Sequence, residues 1–257
     1  QAVVAASRQF VCVRPQTYED AAEAKVLSYV FSGRSGLENT SFALLDPKGK
    51  KLTRGSRSPS MTYGSALEFE GALKRISAQY EEKARPITEL PTLRDLRVAL
   101  NVAAADMRPL VVVRADKAPK RGDLVKLVAE LAWEQGRVGH FHFVVLEEEI
   151  SFEGLVPEEG VHVIQPDPFG LGGTLLASHG LKASSKQLAG VLDEGHKAFT
   201  AKAREHDQHV REARRRGIRW ETAIPVTDTH GREGPRRRAG RGREGRGRDP
   251  RERDGDR

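Results

Sequence analysis

One cysteine, two histidine pairs and one glycine-rich loop are the residues in this chain whose type and spacing could do chemistry. Cys12 is the single cysteine among 257 residues, so neither an intramolecular disulfide nor a Cys-x-x-Cys pair can form. As a redox or metal thiol it would need a pKa lowered by its surroundings. It alternates with Val11 and Val13 in FVCVR (10–14), which reads as a strand, and a strand cysteine is expected as a small buried hydrophobe. His140 and His142 lie two apart in HFHFVVLE (140–147), so both would project from one face of a strand and could converge on a metal. With no further ligand close by on that face, they read as partly exposed strand histidines. His206 and His209 form HDQH at helix-neighbour spacing with Glu205 and Asp207 alongside, which reads as a solvated helix face. PDPFGLGG (166–173) has the glycines of a phosphate cradle, yet a cradle leads into a helix N-terminus and here a short strand follows. A wide hairpin turn accounts for it. No nucleophile elbow or triad order occurs, and Glu147, Glu148, Glu149, Glu158 and Glu159 read as loop acids. The chain has no recognisable catalytic constellation, and no cofactor is assigned.

The elements that must position these residues fall into two groups. In the first, the strand 10–14 precedes a helix over 19–31, capped by Thr17 or Asp20 with Ala22, Val26, Leu27 and Val30 as its apolar stripe. FSGRSG (31–36) ends it. SFALLDPKGKKLTR (41–54) reads as a hairpin, Pro47 presetting φ and Gly49 accepting positive φ. GSRSPSMTYG (55–64) is turn chemistry, and a helix over 64–84 presents Leu67, Leu73, Ile76 and Tyr80, with Phe69 nearby. Residues 85–91, RPITELP, read as a linker. In the second group Thr92 caps a helix to Met107 carrying Leu96, Leu100, Ala103 and Met107 on one face, and PLVVVRA (109–115) has the unbroken β-branched run of a strand buried on both faces. A helix opens at Gly122-Asp123 and closes at Gly136. Strands follow at 140–147, 161–165 and 174–178, then one long helix from about Ser184 to Arg216, stopped by Gly217.

The order helix–hairpin–helix behind a strand, and then strand–helix–strand, loop (148–160), hairpin and helix, resembles the thioredoxin-like fold superfamily over about residues 1–215. The resemblance implies an α/β fold class: two tandem thioredoxin-like domains, each a mixed sheet flanked by helices. They comprise a partial first domain (1–84), a linker (85–91), a second domain (92–216), an extension (217–230) and a disordered Arg/Gly-rich tail (231–257). The first copy begins at what would be the family's second strand, so its active-site helix would lie before Gln1. In the second copy the family's cysteines would fall at ADKAPKRGD (115–123), where none stands. The family's cis-proline before its third strand is replaced by Asn39-Thr40 in the first copy, while Pro166 or Pro168 are the candidates in the second.

Charge divides the chain further. Residues 231–257 hold 11 Arg against 6 Asp and Glu, which is +5 of the net +7. With almost no core formers, such a tail is expected to be disordered. Arg211, Arg214, Arg215, Arg216 and Arg219 cluster near the preceding helix end, and Trp220, Ile224 and Val226 follow as an apolar strip. That strip either folds back on the second domain or, through Trp220, Arg216 and Arg219, docks a protein. Three functions fit these features. The first is a protein-binding or scaffold role without dithiol activity. The second is a thiol–disulfide oxidoreductase whose cysteines lie upstream of Gln1. The third is an RNA-associated protein acting through the 231–257 tail. No apolar run is long enough to span a bilayer, and a processed N-terminus at Gln1 would place the protein outside the cytoplasm.

Overall fold

The structure is a computed structural model and describes residues 1–31, 37, 41–80, 88–148, 158–200 and 203–226. It is mixed α/β, with eight helices and one five-stranded mixed sheet among the described residues. Two compact units form: Gln1–Ser77 with the described residues from Thr222, and Ala78–Glu221. The turn at 32–36, Asn39-Thr40, residues 85–87 of the linker, most of the 148–160 loop and the 231–257 tail lie outside the described residues.

In the larger unit the strands are β1 (Thr92–Leu93), β2 (Leu110–Arg114), β3 (His142–Leu146), β4 (Gly160–Pro166) and β5 (Gly173–Gly180). They lie in the order β1-β3-β2-β4-β5. The first three run parallel, and β4 and β5 form an antiparallel pair continuing from β2. All five residues of β2 are buried, as its β-branched run predicts. Pleating sends alternate side chains to opposite helical layers. Leu110 and Val112 meet Leu96, Ala99, Leu100 and Ala103 of α5 (Leu96–Asp106). Val111 and Val113 meet Leu124 and Val128 of α6 (Ala118–Ala132) and Leu188 and Leu192 of α7 (Ser185–Ala198).

Four boundaries differ from expectation. Thr92 does not cap α5; it pairs with Phe143 in the edge strand, and the cap is Asp95, whose carboxylate accepts the Val98 N–H at 2.8 Å. Met107 closes that helix in a left-handed conformation and is exposed. Helix α6 begins four residues before Gly122, because Pro119 in its first turn has φ preset for a helix and needs no N–H partner. The long helix over 184–216 is two. A capping box of Ser184 and Gln187 starts α7, and Gly217, at φ 68, ends α8 (His206–Arg215), but the chain leaves the helix at Phe199. There the Thr200 backbone N–H and hydroxyl both donate to Gln165 Oε1, at 3.1 and 3.2 Å, withdrawing them from the helical ladder.

The smaller unit holds α1 (Ala2–Ser7), α2 (Ala21–Val30), α3 (Pro59–Tyr63) and α4 (Ala66–Ser77). Asp20, not Thr17, caps α2, accepting from Ala22 and Glu23 N–H. Of the expected stripe Leu27 is buried while Val26 faces solvent. The hairpin is present as bridges Leu45–Lys51 and Phe42–Ser56, its turn held by Asp46 Oδ1 accepting from Lys48 and Lys50 N–H. Residues 59–63 wind into α3 where a turn was expected, Ser58 capping it and Pro59 opening it. The small core of Ala6, Leu44 and Leu73 is flanked by Phe42, Tyr63 and Phe69 in mutual ring contact, and Leu67 of α4 points outward. Residues 10–14 form no strand. No described segment pairs with them, and Val13 is 75% exposed.

Close packing of α7 on the sheet yields a stability test. A Cβ at Gly195 would lie 2.4 Å from Val163 Cγ1, whereas one at Gly190, on the same helix, meets nothing within 4 Å. Gly195→Ala should therefore lower stability by about 1–3 kcal/mol through overpacking, and Gly190→Ala should raise it by about 0.5–1 kcal/mol through helix propensity. Both tryptophans of the chain, Trp133 and Trp220, lie in this unit, so urea unfolding followed by tryptophan fluorescence reads the two variants directly.

Candidate functional site

The parallel strands β2 and β3 deliver their C-terminal ends to one edge of the sheet, and charge gathers there. Arg114 ends β2 with its side chain only 7% exposed, and its Nη2 meets Asp116 Oδ1 at 3.0 Å. The next backbone N–H, that of Asp116, donates to Glu159 Oε1 at 3.0 Å. Arg121, in the first turns of α6, donates to Ala115 O at 2.9 Å and to Glu147 Oε1 at 3.0 Å. Asp116 is thereby tied to the start of β4 and Arg121 to the end of β3.

Beside Arg114, on the same face of the sheet, lies His162 of β4. It stands opposite Val112 in the antiparallel register and is buried. Its Nε2 is 2.7 Å from the Glu158 carbonyl oxygen, which makes this nitrogen the N–H donor of the neutral ring. Burial pushes the His162 pKa below its usual value. The Glu158 carbonyl and carboxylate oppose that shift, and the Arg114 charge adds to it. An open cleft of about 540 Å³ is bounded by Arg114, Glu158, Glu159 and the end of β5 from His179 to Lys182. No thiol lines it. The Nε2 proton of His162 is thus spent on the Glu158 backbone carbonyl.

The residues singled out from sequence are distributed differently. Cys12 is exposed on the unpaired segment 10–14, not buried in a strand. His140 precedes β3 instead of lying in it, so strand alternation does not align it with His142. Its ring stacks on His196 at 4.5 Å between centroids, while His142 Nε2 meets Asp106 Oδ2 at 2.9 Å. His209 stacks on Phe169 at 4.5 Å, and His206 is exposed at the start of α8. Among the described residues no group of three His, Cys, Asp or Glu side chains could hold a metal. In PDPFGLGG the amides of Phe169, Leu171 and Gly172 all donate to Asp167, so the loop fills its own anion-binding concavity. Arg216 lies over Phe169, and Arg97 lies over Trp220 at 4.3 Å while donating to Glu221 O. Arg219 is exposed. The strip 220–226 forms no strand.

Sequence reasoning missed Arg114, Asp116, Arg121, Glu159 and His162. The readable signal was a charge ending an apolar run, LVVVR, since an arginine there must be buried with an acid close by.

The geometry and charge define a mixed α/β protein with a polar cleft at the C-terminal edge of its parallel strands. No protein-family model, curated protein or solved structure matches the chain. No described helix is long and apolar enough to cross a membrane.

The sign of the His162 shift predicts a pH dependence. With its folded pKa depressed, His162 favours the folded state above the unfolded histidine value near 6.5. That contribution falls away as pH drops from there through the lower folded value, because the unfolded chain then binds the extra proton. His162→Gln keeps a donor for the Glu158 carbonyl and removes the titration. Urea unfolding at pH 7.5 and pH 5 should therefore show a smaller loss of stability on acidification in the variant than in the parent.

Proposed function

We propose that this chain is a thioredoxin-fold protein without dithiol activity, acting as a protein-binding or scaffold module. The larger unit supports the reading through its order of strand, helix, strand, helix, strand, hairpin and helix around one mixed sheet. The tandem part draws support from the helix–hairpin–helix order of α2, residues 42–56 and α4, and the unpaired segment 10–14 counts against it.

One observation carries the functional side. Residues 115–123, which the resemblance makes the dithiol position, hold Asp116 and Arg121 in an ion-paired rim and contain no sulfur. Dithiol exchange needs an attacking thiolate and a resolving thiol within reach. Cys12 supplies one exposed thiol with no second in the chain. What the rim offers instead is alternating charge beside an open cleft, the kind of edge that orients a charged polypeptide.

Two measurements test this. In an insulin-reduction assay with dithiothreitol, the chain should give the rate of the protein-free blank, and Cys12→Ser should change nothing; turnover abolished by Cys12→Ser would overturn the non-catalytic reading. Affinity capture with the chain should retain a polypeptide that is lost with Glu158→Lys or Glu159→Lys, two acids that line the cleft, while unfolding of the larger unit is unchanged. Retention indifferent to both charges would remove the cleft as the docking edge.

A further inference from the structure

Helix α8 carries a cationic face that its own packing does not use. A helix advances about 100° per residue, so His209, Ala213 and Arg216 share one side. That side is the packed one: His209 and Arg216 both lie against the ring of Phe169, which is buried. Arg211, Arg214 and Arg215 fall on the opposite side and are exposed. Spaced i, i+3 and i+4, they are mutual neighbours, an arrangement that costs stability through like-charge repulsion. None of the three has an ion pair or side-chain hydrogen bond, and the same holds for Arg219. Of the two acids on α8, Glu212 is engaged by Arg204 at 3.4 Å, and Asp207, one turn before Arg211, forms no ion pair with it. The macrodipole explains cations in the last turn of α8 but not Arg211, one turn earlier.

An aromatic ring follows this helix in the chain. Gly217, at φ 68, reverses the chain, with Ile218 N–H donating to Ala213 O at 2.9 Å and Gly217 N–H to Arg214 O at 3.2 Å. Trp220 follows three residues after Gly217, 38% exposed, with the Arg97 guanidinium 4.3 Å from its ring centroid. The stems of Arg211, Arg214 and Arg215 line a shallow groove of about 470 Å³.

We infer that this surface binds single-stranded nucleic acid, with Arg211, Arg214, Arg215 and Arg219 on phosphates and a base stacked on the exposed part of Trp220. Unpaired guanidinium groups in a row answer a repeating anion, and an exposed ring beside them is the sequence-tolerant platform that unpaired bases use. A lipid surface fits less well, because α8 has no apolar face: its only aliphatic residues, Val210 and Ala213, are half-buried. An acidic polypeptide would meet the charges but has no use for the stacking ring. This site is separate from the cleft at the end of β2 and does not rest on the scaffold reading.

The test is fluorescence anisotropy of a labelled oligo-uridylate with the full chain between 50 and 200 mM KCl. The parent should bind with a steep salt dependence. R211Q/R214Q/R215Q should reduce the slope of log K against log salt by about 2, at about 0.7 per lost phosphate contact, while R211K/R214K/R215K keeps it. Trp220→Ala should weaken binding about tenfold with the slope unchanged, and Trp220→Phe should restore most of the loss. Circular dichroism of each variant separates a binding effect from loss of the helix. The inference is overturned if the parent does not bind or if the glutamine variant keeps both affinity and slope. It is equally overturned if polyglutamate displaces the oligonucleotide as well as unlabelled oligo-uridylate does, with Trp220→Ala silent.

Discussion

Everything in the larger unit depends on β2 being central. Its backbone has no access to water, so each N–H and C=O must find a partner on a neighbouring strand, and β3 and β4 supply them on either side. Its side chains are buried on both faces, worth about 1.5–3 kcal/mol for each large aliphatic group withdrawn from water. That demand cannot be met by one layer. It requires α5 on one face and α6 with α7 on the other, and the alternation of Leu110, Val111, Val112 and Val113 assigns each side chain to its layer. The same alternation places Arg114 on the α5 side, next to His162. The polar cleft is thus a consequence of ending a doubly buried strand with a cation: Arg114 has to be satisfied where the apolar layer stops, and Asp116 stands there to do it.

How much of this could be read from the chain follows from the range of the forces involved. Strands β2, β3 and β4 were legible through their β-branched residues, and β5 through the short apolar stretch Thr174–Ser178 after a turn. Strand β1 was not, because two residues carry no periodicity and Thr92–Leu93 becomes a strand only by lying against Phe143 and Val144. The break between α7 and α8 was equally hidden. Helical pattern runs through 184–216, and what stops it is Gln165, thirty-five residues away in sequence. FVCVR fails for the complementary reason: it has the alternation of a strand, but alternation cannot supply a pairing partner, and without one Cys12 becomes exposed. The cleft was half visible. Arg114 and Asp116 adjoin in sequence, while Glu159 and His162 arrive through the register of β4 on β2, which no local pattern encodes.

A second regularity is how seldom this fold leaves a polar group with nothing to do. The glycine-rich loop after β4 turns its amides onto its own Asp167 instead of holding them for a ligand. His142 is engaged by Asp106, His140 and His196 stack on each other, and His209 covers Phe169. Cys12 and His206 are exposed, and the other candidates that sequence spacing raised for metal or phosphate chemistry are consumed by structural contacts.

Against that background the outer face of α8 stands apart. Its inner face is committed to Phe169, which fixes the rotation of the helix about its axis. Once that rotation is set, Arg211, Arg214 and Arg215 have no freedom to turn toward an acid on the sheet. Moving them inward would break the contacts of His209 and Arg216 with Phe169 and uncover its ring. The charge cluster is thus imposed by a packing contact on the other side of the same helix. The reversal at Gly217 then adds Trp220 beside the same helix end, so a single turn joins fixed positive charge to an exposed aromatic ring.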